Sequence, residues 1–279
     1  MSTLINTNIN SLVASNALAR NGRAQQATME SLSTGKRINK ASDDAAGLSI
    51  RETMTSQIKG LDAAVRNSND GISLLQTADG ALSETSAMLQ RMRELAVLSR
   101  NDTYSSVQKT AMNTEYSQLL TQVDKIASNT QWNGTSILDG TGGPAGTTAT
   151  FEFQIGANAA DTYDVVISNM AASALGSING TSINSAGGAS DAISALDVAL
   201  STLNSQRSTI GSAVNRLTHA VDNLTNISQN ASEARSKVED TDYAAATSDL
   251  ARQQIIQQAG TAILAQANQQ PQSVLSLLK

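Results

Sequence analysis

The residue types that carry most enzyme chemistry are nearly missing from this sequence. His219 is the only histidine, and there is no cysteine. A Ser-His-Asp relay or a histidine-rich metal site therefore has little to work with. His219 falls between Leu217 and Val221, off the apolar seam of its segment, where it is expected to face solvent. A zinc-protease motif needs two histidines one helical turn apart around a glutamate, which this chain cannot supply. Without cysteine there are no disulfides, thiol nucleophiles or Cys-ligated metals. Glu239, Asp240 and Asp242 form an acidic cluster that suits a solvated hinge and a helix N-cap better than a metal. Gly140, Gly142, Gly143 and Gly146 do not lie between a strand and a helix, so they read as a flexible link and not a phosphate loop. Asn133-Gly134-Thr135 and Asn179-Gly180-Thr181 fit a glycosylation pattern and, equally well, short Asn-Gly turns. The sequence thus predicts no catalytic residue, no metal and no cofactor: the chain is not an enzyme.

Composition points instead to long helices. The 279 residues carry a net charge of -5; 40% are hydrophobic, yet only 3% are aromatic and 2 are proline. Compact cores draw much of their buried area from aromatic rings. An apolar share made mostly of Ala, Leu, Ile and Val favours helices packed through small aliphatic side chains. The mild acidity offers no basic footprint for nucleic acid. No stretch reaches the roughly 18 apolar residues of a membrane span. Met1 to Arg20 lacks a basic segment followed by an apolar run. The expectation is a chain that stays in the cytoplasm or leaves without a cleaved signal peptide.

Two segments carry a heptad pattern. Ile58, Leu61, Val65, Ile72, Leu75, Leu82 and Leu89 step by three, four or seven, with Ser68, Asp79 and Ser86 filling the register. Ile193, Leu196, Leu200, Leu203, Ile210, Val214, Leu217, Val221 and Leu224 form the second run, interrupted by Arg207 and Ser228. Such a period argues for a coiled coil, and about 50 helical residues span roughly 75 Å. Gly35 is expected to end a first helix, Ser42, Asp43 and Asp44 to cap the next, and Asn101 to Thr103 to turn into a shorter helix. Met112, Leu119, Val123 and Ile126 would be the apolar face of that shorter helix. Between the helical halves, Phe151, Phe153 and Ile155 alternate with polar residues, as do Tyr163, Val165 and Ile167. This reads as a β-hairpin with its own small core, followed by a Gly, Ser and Asn-rich loop over 177–188. The predicted fold is mainly α: a long antiparallel coiled-coil or helix-bundle rod with a small β-hairpin region, and N- and C-terminal helices paired at one end. The predicted divisions are 1–43 with 236–279, 44–140 with 186–235, and 141–185.

The two ends are alike. Met1 to Ala19 carries no charge, and Ala244 to Leu278 carries only Asp249 and Arg252. Ile5, Ile9 and Leu12 make an apolar stripe near the start; Ile255, Ile256, Ile263 and Leu264, then Leu275, Leu277 and Leu278 after Pro271, do so near the end. Two thin helices pairing leave much of such surface wet, and other copies of the chain are the expected partner. Uncharged amides such as Gln253, Gln254, Gln257 and Gln258 suit either the lining of a central channel or packing against further copies.

Several motifs in order resemble one known family. Ile5-Asn6-Thr7-Asn8-Ile9, Leu32 to Asn39, Asp43 to Gly47, Gln90 to Val97, Phe153 to Asn158 and Val274 to Leu278 are similar to the flagellins along nearly the whole chain. The resemblance implies a secreted structural protein that self-assembles into the helical filament of the bacterial flagellum and serves swimming motility. Export through the flagellar secretion apparatus and an extracellular location would follow. Expected partners are the chain itself, a secretion chaperone, the filament cap and the hook-junction proteins, with no nucleic acid and no membrane insertion. The large outer domains of longer flagellins look absent. The resemblance further implies recognition of the monomer by an innate-immune Toll-like receptor through Arg91, Leu95 and Glu115, with Met92 the one departure in that motif. A hook-filament junction protein and a flagellin-like surface-binding protein are the alternatives.

Overall fold

The computed structural model describes residues 7–142 and 149–277, with side chains over 7–142 and 150–269. Among the described residues, five helices and four short strands divide between two compact units, one of residues 57–229 and one of 7–56 with 230–277. The division falls inside α2 (Ala45–Ser99) and α4 (Ala186–Glu239) and not at the connectors between helices.

In the 57–229 unit the heptad positions become the core. Leu75, Leu82 and Leu89 on α2, and Leu196, Leu203, Ile210 and Leu217 on α4, are all fully or almost fully buried. Side-chain pairs fix the direction: Asp62 meets Ser228, Asp79 meets Arg207 and Arg93 meets Asp197, so α2 and α4 run antiparallel here. The residues that interrupt the apolar register thus find partners across it. Arg207 Nε lies 2.8 Å from Asp79 Oδ1 and Ser228 Oγ 3.0 Å from Asp62 Oδ1. Buried Ser68 turns its hydroxyl back to Ala64 O at 2.8 Å, satisfying itself within the helix.

Helix α3 (Ser106–Asn129) closes the core from a third side. The expected turn at Asn101 to Thr103 is present, but the cap is Ser105, in a reciprocal capping box with Gln108. The expected face is the packed one: Val123 is buried and Met112 and Leu119 are half-buried against the core, while Tyr116 and Ala127, which spacing did not single out, are buried beside them. Tyr116 also reaches Thr181 in the loop after the hairpin, at 2.7 Å. Burial raises the Tyr116 pKa above its ordinary value, against the opposing effect of that hydrogen bond.

Strands β1 (Gln131–Trp132) and β2 (Thr135–Ser136) form a minimal hairpin around Asn133-Gly134, both at positive φ, as a two-residue turn requires. Strands β3 (Ala149–Gln154) and β4 (Thr162–Ile167) pair antiparallel, with Phe151 opposite Val165 and Phe153 opposite Tyr163. The hairpin has no separate core, contrary to expectation: Phe151, Val165 and Ile167 join the buried cluster of the helices. A six-residue strand pair has too little area to enclose a core alone. Gln206, buried on α4, pins it, donating from Nε2 to Val166 O at 3.0 Å and accepting from Ser168 N at 3.4 Å. The following loop is also more than a polar spacer. Met170, Leu175, Ile178 and Ile183 are buried, and α3 holds the loop by Asp124 to Ala172 N and Asn113 to Ile183 N, both at 2.8 Å.

The other unit holds α1 (Ile9–Thr34), the connector to α2, the end of α4 and α5 (Tyr243–Leu277). Asn8 caps α1, accepting from Ser11 N at 3.0 Å, and Gly35 ends it at φ 72, a conformation that costs glycine nothing. Asp44 caps α2 and Asp242 caps α5, each accepting two backbone N–H groups.

Replacing Gln206 by leucine should lower unfolding stability by about 1–3 kcal/mol, the cost of leaving Val166 O and Ser168 N unpaired. Urea unfolding measures this. Amide exchange should quicken at Ser168 while α3 keeps its protection; uniform protection in the variant would mean Gln206 does not hold the hairpin.

Candidate assembly surface

Helices α1 and α5 pair antiparallel through polar side chains that carry no charge. Asn8 Nδ2 donates to Ala267 O and Asn21 Nδ2 to Gln253 O, each at 2.8 Å; Gln253 Nε2 donates to Thr28 Oγ1 at 3.1 Å. Gln253 thus ties the pair together and is half-buried. Gly260 sets the closest approach, since a Cβ there would lie 2.9 Å from Leu18 Cδ2.

This pairing covers little. None of the 26 residues of α1 is buried. Ile9 remains 53% exposed, Leu12 61%, Ile255 66% and Ile263 60%, with Val13 and Ile256 similar. Leu264 is half-buried. An open groove of about 910 Å³ runs between the helices, lined by Val13, Ala17, Leu18, Ile256, Ala259 and Ile263 among others. Ile5 and Leu278 lie outside the described residues, as do the side chains of Leu275 and Leu277 at the end of α5. Each exposed aliphatic forgoes ~1.5–3 kcal/mol of burial. Exposed aliphatic surface beyond scattered single residues is uncommon on a lone soluble chain.

The structure brings Arg91 and Glu115 together and separates Leu95 from them. Arg91 Nε donates to Glu115 Oε1 at 3.0 Å and Nη1 to Glu94 Oε2 at 2.7 Å, on the outside of α2 and α3. These bonds, with Glu115 first, raise the Arg91 pKa further above its ordinary value. Leu95 is only 2% exposed and belongs to the core, so it is no apolar anchor on this surface. The heptad seam continues through Leu89, Met92 and Ala96, and Leu95 sits beside it. Met92, where the motif departs, is wholly buried. Spacing alone gave no role to Val97, Leu98 and Val107, which are exposed, Val107 to 77%.

Glu239 departs from expectation. Its carboxylate is not part of a solvated hinge: the side chain is 8% exposed and ion-paired. Asp242 does cap α5 as expected. His219 is exposed. Among the described residues no His, Asp or Glu group is arranged to hold a metal ion, and no helix is long and apolar enough to cross a membrane.

Comparison with known proteins places the chain in a family. The bacterial flagellin N-terminal helical region matches residues 5–142 and the C-terminal helical region residues 193–278. A flagellin of Halalkalibacterium halodurans is 43% identical over 99% of this chain and 100% of its own length. The flagellar filament 33 kDa core protein of Treponema phagedenis is 41% identical over 99% and 100%. In fold alone, a putative flagellar hook-associated protein from Vibrio parahaemolyticus is similar, with TM-score 0.59 and 14% identity over 71% of this chain and 100% of that one. Matched at both helical ends and over almost its entire length, the chain belongs to the bacterial flagellin family and is a subunit of the flagellar filament.

Proposed function

We propose that this subunit builds an extracellular filament rotated for swimming, and that the faces left open on α1 and α5 are its principal polymer contacts. The observation that carries the reading is a 26-residue helix with no buried residue, paired to a helix whose Ile255, Ile256 and Ile263 stay about half exposed or more. A head-to-tail contact between copies that does not close gives a helical polymer. Export through the flagellar apparatus without a cleaved leader, a chaperone on the terminal segments, and the cap and hook-junction proteins belong to the same reading.

We also propose that the free monomer is recognised by an innate-immune Toll-like receptor through the exposed Arg91–Glu115 pair. Both side chains are 46% exposed and already oriented by their mutual hydrogen bond. An arginine so held offers the remaining donors of its fork at little further entropic cost. Leu95 beneath would act only by supporting Arg91 from the core.

Seeded assembly followed by electron microscopy tests the polymer contacts. Long uniform filaments are expected from the full chain and none from a version lacking residues 1–40 and 240–279. Leu264→Asp should abolish growth while circular dichroism of the monomer stays helical; normal filaments from that variant would remove α5 from the contact. For the receptor, Arg91→Ala should weaken binding of the monomer to the isolated receptor ectodomain at least tenfold, about 1.4 kcal/mol. Unchanged affinity would exclude this pair as the contact.

A further inference from the structure

Glu239, the last residue of α4, stands where three chain segments meet within the unit of 7–56 and 230–277. Lys36 from the connector after α1 places Nζ 2.5 Å from Oε1, and Arg51 from the start of α2 places Nη1 3.7 Å from the same oxygen. Arg235, one turn back on α4, lies 3.9 Å from Oε2. The main chain adds its own clasp: Arg37 N donates to Glu239 O at 2.7 Å, and Thr241 N to Gly35 O at 3.0 Å. Arg37 Nη2 reaches Val238 O at 2.8 Å, and Arg51 Nη1 reaches Ile38 O at 3.2 Å. A carboxylate this buried is tolerated only because cations surround it. Without its charge, three cations would face one another across the same space.

The clasp sits at the root of both terminal helices. α1 ends at Thr34, just before Lys36, and α5 begins at Tyr243, just after Asp240. At 1.5 Å per residue, α1 is about 39 Å long. A tilt of ~10° at its root would move its far end by roughly 7 Å, more than the reach of a van der Waals contact.

We propose that Glu239 is a positioning residue for assembly: its carboxylate locks the α1 and α5 connectors to each other and to the adjoining ends of α2 and α4, and so sets the direction in which the apolar faces of α1 and α5 meet neighbouring copies. This rests on the filament reading above. It assigns to Glu239 an effect on polymer growth out of proportion to its effect on monomer folding.

The test uses the full-length chain. Glu239→Gln keeps the shape and removes the charge. Its monomer should keep wild-type helicity, while its critical concentration for seeded growth rises at least tenfold. Rescue separates positioning from a direct polymer contact. Lys36 and Asp240 face each other across the two-hydrogen-bond clasp as a non-hydrogen-bonded antiparallel pair. Such Cα atoms lie about 4.5 Å apart, within reach of a disulfide. The chain has no competing cysteine. Adding Lys36→Cys and Asp240→Cys to Glu239→Gln should restore growth when oxidised and not when reduced. The proposal is overturned if Glu239→Gln grows at the wild-type critical concentration, or if the oxidised triple variant grows no better than the reduced one. Lys36→Gln, which strips a half-exposed cation, covers the case in which Glu239→Gln fails to fold. It should raise the critical concentration about threefold, and a wild-type value overturns the proposal. A wild-type chain that never polymerises would instead refute the filament reading itself.

Discussion

A helix packed against a single partner leaves much of its circumference in water, and every feature of this chain responds to that constraint. Unit 57–229 answers it within the molecule. The seam of α2 and α4 is covered by α3, by the β3–β4 hairpin and by the loop that carries Ile178 and Ile183, so leucines at seven-residue spacing end up wholly buried. On the α1–α5 pair Ile9, Leu12, Ile255, Ile256 and Ile263 stay largely in solvent. The same aliphatic chemistry thus yields a folded core in one unit and an exposed face in the other.

Polar side chains decide register where aliphatic packing is permissive. A seam of Leu, Ile and Ala tolerates sliding by a heptad at modest cost. Asp79 with Arg207, Asp62 with Ser228 and Gln206 with the β4 backbone do not, because a slip would leave each without its partner. On the α1–α5 pair the corresponding ties are amides, Asn8, Asn21 and Gln253. They hold the two helices in alignment without bringing charge to the aliphatic face between them. Charge is concentrated instead at the connectors, where Lys36, Arg51 and Arg235 converge on Glu239.

The Arg91–Glu115 pair and the terminal faces make different demands on the chain. The pair is polar, exposed and held on a rigid scaffold of two helices that share a core with Tyr116 and Leu95. The terminal faces are aliphatic and gain by being covered. A surface can therefore be open in a free subunit and closed in a polymer without any change of fold.

The periodicity of the side chains determined much of this architecture. Seven-residue spacing marked the α2 and α4 seam, alternation marked β3 and β4, Gly35 and the Asp44 and Asp242 caps marked helix ends, and missing charge marked the ends of the chain as an apolar face. These are local or periodic properties, and a single chain carries them openly. Only the tertiary structure decided how elements share a core, since burial depends on what lies opposite. It added Tyr116 to the α3 face, drew the hairpin and a polar-looking loop into the helical core, put Leu95 inside, and turned Glu239 from one of three neighbouring acids into a buried charge. Its cations come from positions 36, 51 and 235, and no spacing along the sequence announces that a chain of this length folds them onto one carboxylate.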